Sequence, residues 1–243
     1  MPGSADDASH PAKASHPAKA PDPAKAPDAE DVEDAEAEVE FLAAERLTFF
    51  SDAVVAIAIT LLALELPVPQ GDTNAEMLRS ARDHLDDYLA FLISFAVIGS
   101  HWFAHHRTFR YVTALGGRLR QWNMLWLFMI VITPFATRVL TSEGAFETRF
   151  IFYAAVQTLA GLFSLLTIRE ITWHGLLRAG TPPDLIGIFY LRVSALIGAF
   201  AVSIPIGLFT QWAYVCWAAI PFIMRVQNAI IARRRSLRHP TPP

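Results

Sequence analysis

The sequence predicts an all-α, polytopic membrane protein with six transmembrane helices, and three observations carry that prediction. The chain is 53% apolar, with 17 Phe and 6 Trp among its 243 residues, which is rich for a soluble domain and ordinary for a small membrane protein. A bilayer core about 30 Å thick needs roughly 20 mainly apolar residues per helix, and the sequence offers such stretches at 45–66, 87–107, 121–141, 149–169, 186–208 and 211–232. The formal charge of −3 conceals a sharp split: residues 1–45 hold three Lys and 12 acids, whereas from Arg46 onward there are 17 Arg, no Lys and 11 acids.

Residues 1–44 are expected to be a disordered tail. A six-residue unit, Ser9-His10-Pro11-Ala12-Lys13-Ala14, recurs at 15–20 and in altered form at 21–26, and an acidic run from Asp28 to Glu40 follows. Regular prolines block a helix, and too little apolar surface exists to offset the entropy of ordering. The stretch also lacks the apolar core of a signal peptide. The second expected unit is the membrane domain, 45–232, and the third a basic tail, 233–243.

Within the membrane domain, Pro134, Pro205 and Pro221 fall inside spans three, five and six and mark expected kinks. Spans five and six meet near Thr210-Gln211 as a tight hairpin. If the N-terminus is cytoplasmic, 13 of the 17 Arg lie on the inner side; the opposite orientation inverts the ratio and violates the positive-inside bias. Both termini are therefore expected in the cytoplasm, with the chain in the plasma membrane. Arg233-Arg234-Arg235 and Arg238, directly after a span, suit anionic lipid headgroups rather than nucleic acid, for which no docking domain exists. The lone cysteine, Cys216, cannot form an intrachain disulfide.

Span one carries Arg46-x-x-x-Phe50-Ser51-Asp52 at its start, and an ionisable residue within a membrane helix is retained mainly where it has a partner or a task. At about 100° per residue, Ile57, Thr60, Leu61 and Leu64 form one stripe that Phe50 extends, while Asp52 lies about 140° away from Ile57. Asp52 and Ser51 must therefore face a neighbouring helix. Span two ends in His101-Trp102-Phe103-Ala104-His105-His106-Arg107, at matching depth if the spans are antiparallel. A network of Asp52 and Ser51 with His101, Trp102, His105 and an arginine (Arg107 or Arg46) is the economical expectation. The apolar stripe by itself is compatible with lipid contact, core packing or a pore lining.

Several chemistries are excluded. His-x-x-x-His-His resembles one box of the membrane di-iron oxygenases, but those need about eight imidazoles, and His84 and His174 alone cannot complete the set. No phosphate loop, nucleophile elbow or His-Glu-x-x-His occurs, so an enzyme is not expected, and no cofactor or metal is implied. The Thr-Val-Gly-Tyr-Gly filter of the common potassium channels is also missing.

Together, the Arg46-x-x-x-Phe50-Ser51-Asp52 signature and the His-Trp-x-x-His-His-Arg end of span two resemble the transmembrane protein 175 family, over residues 45–232. The resemblance implies a potassium-selective, leak-type channel without a re-entrant pore loop. Animal members carry two six-helix repeats and pair as dimers; one repeat implies a homotetramer around the first helix, with potassium as the permeant species. It further implies that Ile57, Leu61 and Leu64 form the constriction, that Thr60 supplies a hydroxyl linked to selectivity, and that Phe50-Ser51-Asp52 is a structural clasp. The rival reading is a proton-coupled secondary transporter that uses Asp52 and His101/His105 as a relay.

Overall fold

The computed structural model describes residues 29–238. The helices are α1 (Ala29–Leu64), α2 (Asn74–Asp83), α3 (Leu85–Phe109), α4 (Leu119–Thr141), α5 (Phe146–Trp173), α6 (Asp184–Gly207), α7 (Tyr214–Ala218) and α8 (Ile220–Arg238), with a single 3-10 turn at Gln211–Ala213. Five of them, α1, α3, α4, α5 and α6, are each long and apolar enough to cross a membrane. The stretch expected as the sixth span follows a segmented helical course instead of one uninterrupted helix. Helical bonds nevertheless cross its break, from Ala219 N to Val215 O (3.0 Å) and from Ile223 N to Ala219 O (2.9 Å). The interruption falls beside Pro221, whose ring nitrogen has no proton to give the ladder.

Helix α1 begins 16 residues before the boundary expected at 45, so residues 29–44 are helical and continuous with the first span. The correction has a local cause. The Pro repeat ends at Pro27, and the Ala/Glu-rich sequence that follows consists of strong helix formers. Glu30 and Asp31 in the first turn also suit the positive end of the helix dipole. This extension docks: Arg178 lies 5.3 Å from the Phe41 ring centre, and Ala44 is buried among Phe109, Val112, Leu119 and Ile168. The expected disorder of residues 1–28 lies outside the described residues.

Helix α2, in the first interhelical loop, was not expected. It starts with a capping box: Thr73 Oγ1 accepts from Glu76 N (3.3 Å), and Glu76 Oε2 accepts from Thr73 N (3.1 Å).

Helix α1 packs against α3 and α4; α4 lies along α5, α5 along α6, and α6 holds α7 and α8. The middle of the bundle is filled by Val55, Ala58 and Leu62 of α1 against Ile98, Trp126 and Ile130. At the arginine-rich end, where α1 enters and α3 leaves, two loops are pinned by Thr113 N to Leu176 O (3.0 Å) and Arg178 N to Tyr111 O (2.8 Å). Close contact of α5 with α6 depends on Gly161, where a Cβ would collide with Ile197. Pro134 is accommodated inside α4 between two hydroxyls: Thr133 Oγ1 donates to Met129 O (2.9 Å) and Thr137 Oγ1 to Thr133 O (2.8 Å).

Candidate functional site: the two faces of the first helix

Helix α1 divides along its length into a held face and an open one. On the held side, Val55, Ala58 and Leu62 are at most 2% exposed, while on the other side Ile57 is 58%, Leu61 41% and Leu64 80% exposed. Phe50 and Thr60 lie on the open side as well. The rotation expected from sequence is thus the rotation observed. Ile57, Leu61 and Leu64 are left uncovered by the other described residues, and Thr60 Oγ1 donates to Ile57 O (2.8 Å), which leaves its oxygen lone pairs free of that bond.

The held face ends in a polar clasp. Asp52 is one anchor: Trp102 Nε1 donates to its Oδ1 (2.9 Å), and His106 Nδ1 lies 3.3 Å from its Oδ2. Ser51, fully buried, is the other. Its Oγ donates to Leu47 O (2.8 Å) and accepts from Asn123 Nδ2 (3.0 Å), while Asn123 Oδ1 meets His105 Nε2 at 2.9 Å. One helix turn of α1 is therefore tied to both α3 and α4.

This arrangement corrects the expected network in three respects. Asp52 bonds Trp102 and His106, not His101 or His105. Both pairs are four residues apart and share a face within the pair, but the two faces differ by about 100°, and α3 presents the Trp102/His106 side to α1. His105 turns inward instead, stacked on Trp126 (4.4 Å between ring centres) and Phe109 (3.9 Å), and Trp126 Nε1 points to His101 Nδ1 at 3.5 Å. Arg46 and Arg107 are exposed and make no hydrogen bond or ion pair among the described residues, so neither belongs to the clasp. Phe50 lies outside it too. A relay from Asp52 to His101 or His105 consequently lacks its first hydrogen bond.

Asn123 is the residue sequence reasoning missed. It is a single amide within an apolar span, and its only signal was that a membrane-buried amide needs partners. A second buried polar chain, in which Thr137 Oγ1, its proton given to Thr133 O, meets Ser94 Oγ (2.7 Å) and Ser94 Oγ meets Tyr153 Oη (2.9 Å), likewise ties α4, α3 and α5. Just past the far end of α1, Glu65 forms an exposed ion pair with Arg138 on α4 (2.9 Å). Replacing Asn123 with Ala leaves the Ser51 oxygen and His105 Nε2 without their mutual partner. It is expected to cost about 1–3 kcal/mol, read as a lower thermal unfolding midpoint of the purified protein, whereas Asn123→Asp should retain part of the network.

The family model described as endosomal/lysosomal potassium channel TMEM175 matches residues 46–134, the stretch that carries the second half of α1, α2, α3, most of α4 and the whole clasp. A protein of Streptomyces collinus described as a potassium channel is 34% identical over 129 residues, spanning 53% of this chain and 63% of that protein. A potassium channel of Chamaesiphon minutus is 42% identical over 97 residues, 39% of this chain and 48% of the other. The endosomal/lysosomal proton channel TMEM175 of Gallus gallus is 39% identical over 114 residues, 44% of this chain and 23% of that longer protein. The chain thus spans about half to somewhat under two thirds of the bacterial relatives it matches. The crystal structure of a lysosomal potassium-selective channel TMEM175 homolog from Chamaesiphon minutus superposes with a TM-score of 0.63 at 26% identity, covering 76% of this chain and 98% of that one.

Proposed function

We propose that this chain, which belongs to the TMEM175 family of ion channels, is a potassium-selective channel whose conducting surface is the open face of α1. The observation that carries the reading is the division of α1: a polar clasp and a packed seam on one side, and on the other a row of large apolar side chains that the protomer leaves uncovered. In a homotetramer arranged around α1, four copies of Ile57 would form a ring without oxygen ligands, with Leu61 and Leu64 extending it.

An ion crossing such a ring must give up part of its hydration shell, and potassium yields water more readily than sodium. Apolar constrictions also close by dewetting, so a modest turn or splay of α1 would gate them. The Thr60 hydroxyl, one turn beyond Ile57, would meet the partly dehydrated ion. The orientation that fits the arginine distribution places both termini in the cytoplasm of a plasma-membrane protein, with the basic residues 233–238 beside anionic headgroups. No cofactor enters this reading.

The test is potassium against sodium flux in proteoliposomes, with the oligomer size determined on the same preparation. The expected result is faster potassium efflux down its gradient from a tetramer, unaffected by collapse of the proton gradient. Equal flux of both ions, a monomer that conducts, or potassium movement that stops when the proton gradient is dissipated would each overturn it.

A further inference from the structure

A cleft of about 570 Å³ lies between the last three turns of α3, the first half of α6 and the start of α8, with His106 at the edge it shares with the α1-facing side of α3. That volume is within the range of sites that enclose a ligand, roughly 300–1,000 Å³. Its two ends differ in chemistry. Arg107, Arg110 and Arg192 stand toward the arginine-rich end, while Leu196, Ile220 and Ile223 close the deep end. From Arg110 to Ser100, both of which line it, α3 descends about 15 Å, a depth that lies inside the hydrocarbon layer rather than at the surface.

The three arginines at the mouth differ in how they are held. Arg192 is engaged by Asn228 Oδ1 (2.8 Å). Arg110 lies 5.7 Å from the Tyr111 ring centre, and neither it nor Arg107 forms an ion pair among the described residues. No acidic side chain lines the cleft among those residues. A cationic rim over an apolar slot at the end of membrane helices matches one molecule of the surroundings: a lipid with an anionic head and a long acyl chain.

We infer that this cleft is a site for one anionic phospholipid per protomer, its phosphate held by Arg107 and Arg110 and an acyl chain lying against Leu196, Ile220 and Ile223. This goes beyond ion conduction and is separate from the basic tail at 233–238. It also places lipid beside the clasp, because His106 lines the cleft and faces Asp52. A bound phosphate would sit close to a donor that holds α1.

The test counts lipids on the detergent-purified full chain by native mass spectrometry, titrated with dioleoyl-phosphatidylglycerol or dioleoyl-phosphatidylcholine. The wild-type protein should retain phosphatidylglycerol in preference. R107Q/R110Q should bind it about thirtyfold more weakly, or about fivefold for each arginine near an anionic surface. L196W should lower retention by filling the deep end while leaving the headgroup preference unchanged. Substitution of Arg233, Arg234 and Arg235 by Gln should leave the high-affinity lipid in place.

Equal retention of the two lipids, or wild-type binding by R107Q/R110Q, would overturn the assignment. So would loss of the bound lipid on changing only the tail arginines. A change of oligomer size in place of a change in lipid number, in either cleft variant, would mark the cleft as a subunit contact and also defeat it. Lipid counting needs no ion flux, so its outcome is independent of whether the protein conducts potassium.

Discussion

Replacing Ile57 with Asn is expected to produce a leakier and less selective protein. Ile57 is exposed on a face of α1 whose opposite side is packed to completion, so the change disturbs no core contact and its effect reports on the uncovered surface alone. In a tetramer it would exchange four apolar side chains for four amides able to hydrogen-bond water and coordinate a cation. Wetting of the constriction removes part of the dehydration barrier; a reduction of only about 1.4 kcal/mol raises the passage rate about tenfold. Potassium and sodium efflux from liposomes should both rise, with the ratio falling toward unity. Unchanged flux and selectivity would place the constriction elsewhere, and Leu61→Asn and Leu64→Asn in the same assay would identify which ring takes its place.

Asp52→Ala is expected to have the largest effect on the fold and its assembly. The substitution takes the acceptor from the Trp102 indole N–H and from His106 at once, at a half-buried point within the membrane. Donors left without acceptors cost about 1–3 kcal/mol, which for a domain of this size lowers the unfolding midpoint by roughly 2–4 °C for each kcal/mol. In the proposed tetramer each protomer would lose the same contacts, and the helix they release is the one on which that assembly would be centred. The variant should lose tetramer on size exclusion at temperatures the wild type tolerates, while Asp52→Asn, which keeps one acceptor oxygen, should recover part of the loss. A variant that purifies as a tetramer of wild-type thermal stability would show that the clasp is dispensable.

How far the sequence could be read depended on whether the deciding contact was local. The angle between Asp52 and Ile57 is a property of α1 alone, fixed by helical geometry, and it was legible. The identity of the donors was not, because it depends on the rotation of α3 relative to α1. His101/His105 and Trp102/His106 have the same spacing, and only packing chooses between them. Asn123 illustrates the same point from a third helix. A lone amide carries no periodicity, and its match to Ser51 spans 72 positions of sequence.

Helices α2 and the start of α1 are different cases. Thr73 and Glu76 form a spacing that a local rule describes, and the run from Ala29 to Glu40 has helical composition. Both were overshadowed by their surroundings, an acid-rich loop in one case and a proline repeat in the other. The sixth span was legible as an apolar stretch, but its segmentation was visible only as Pro221.

The unbroken course of α1 has a mechanical consequence. From Ala29 to Leu64 it contains neither glycine nor proline, and so has none of the usual sites at which a helix bends. Ile57 therefore cannot swing on a local joint; it moves only as the whole rod moves. The rod is held at Phe41 and Ala44, clasped at Asp52 and paired just past its end through Glu65, and its acidic first turns extend beyond the first of these contacts. The stretch that resembles a loose tail in sequence is thus, mechanically, an end of the same shaft, joined to Ile57 without a joint and seated on the bundle at Phe41 and Ala44.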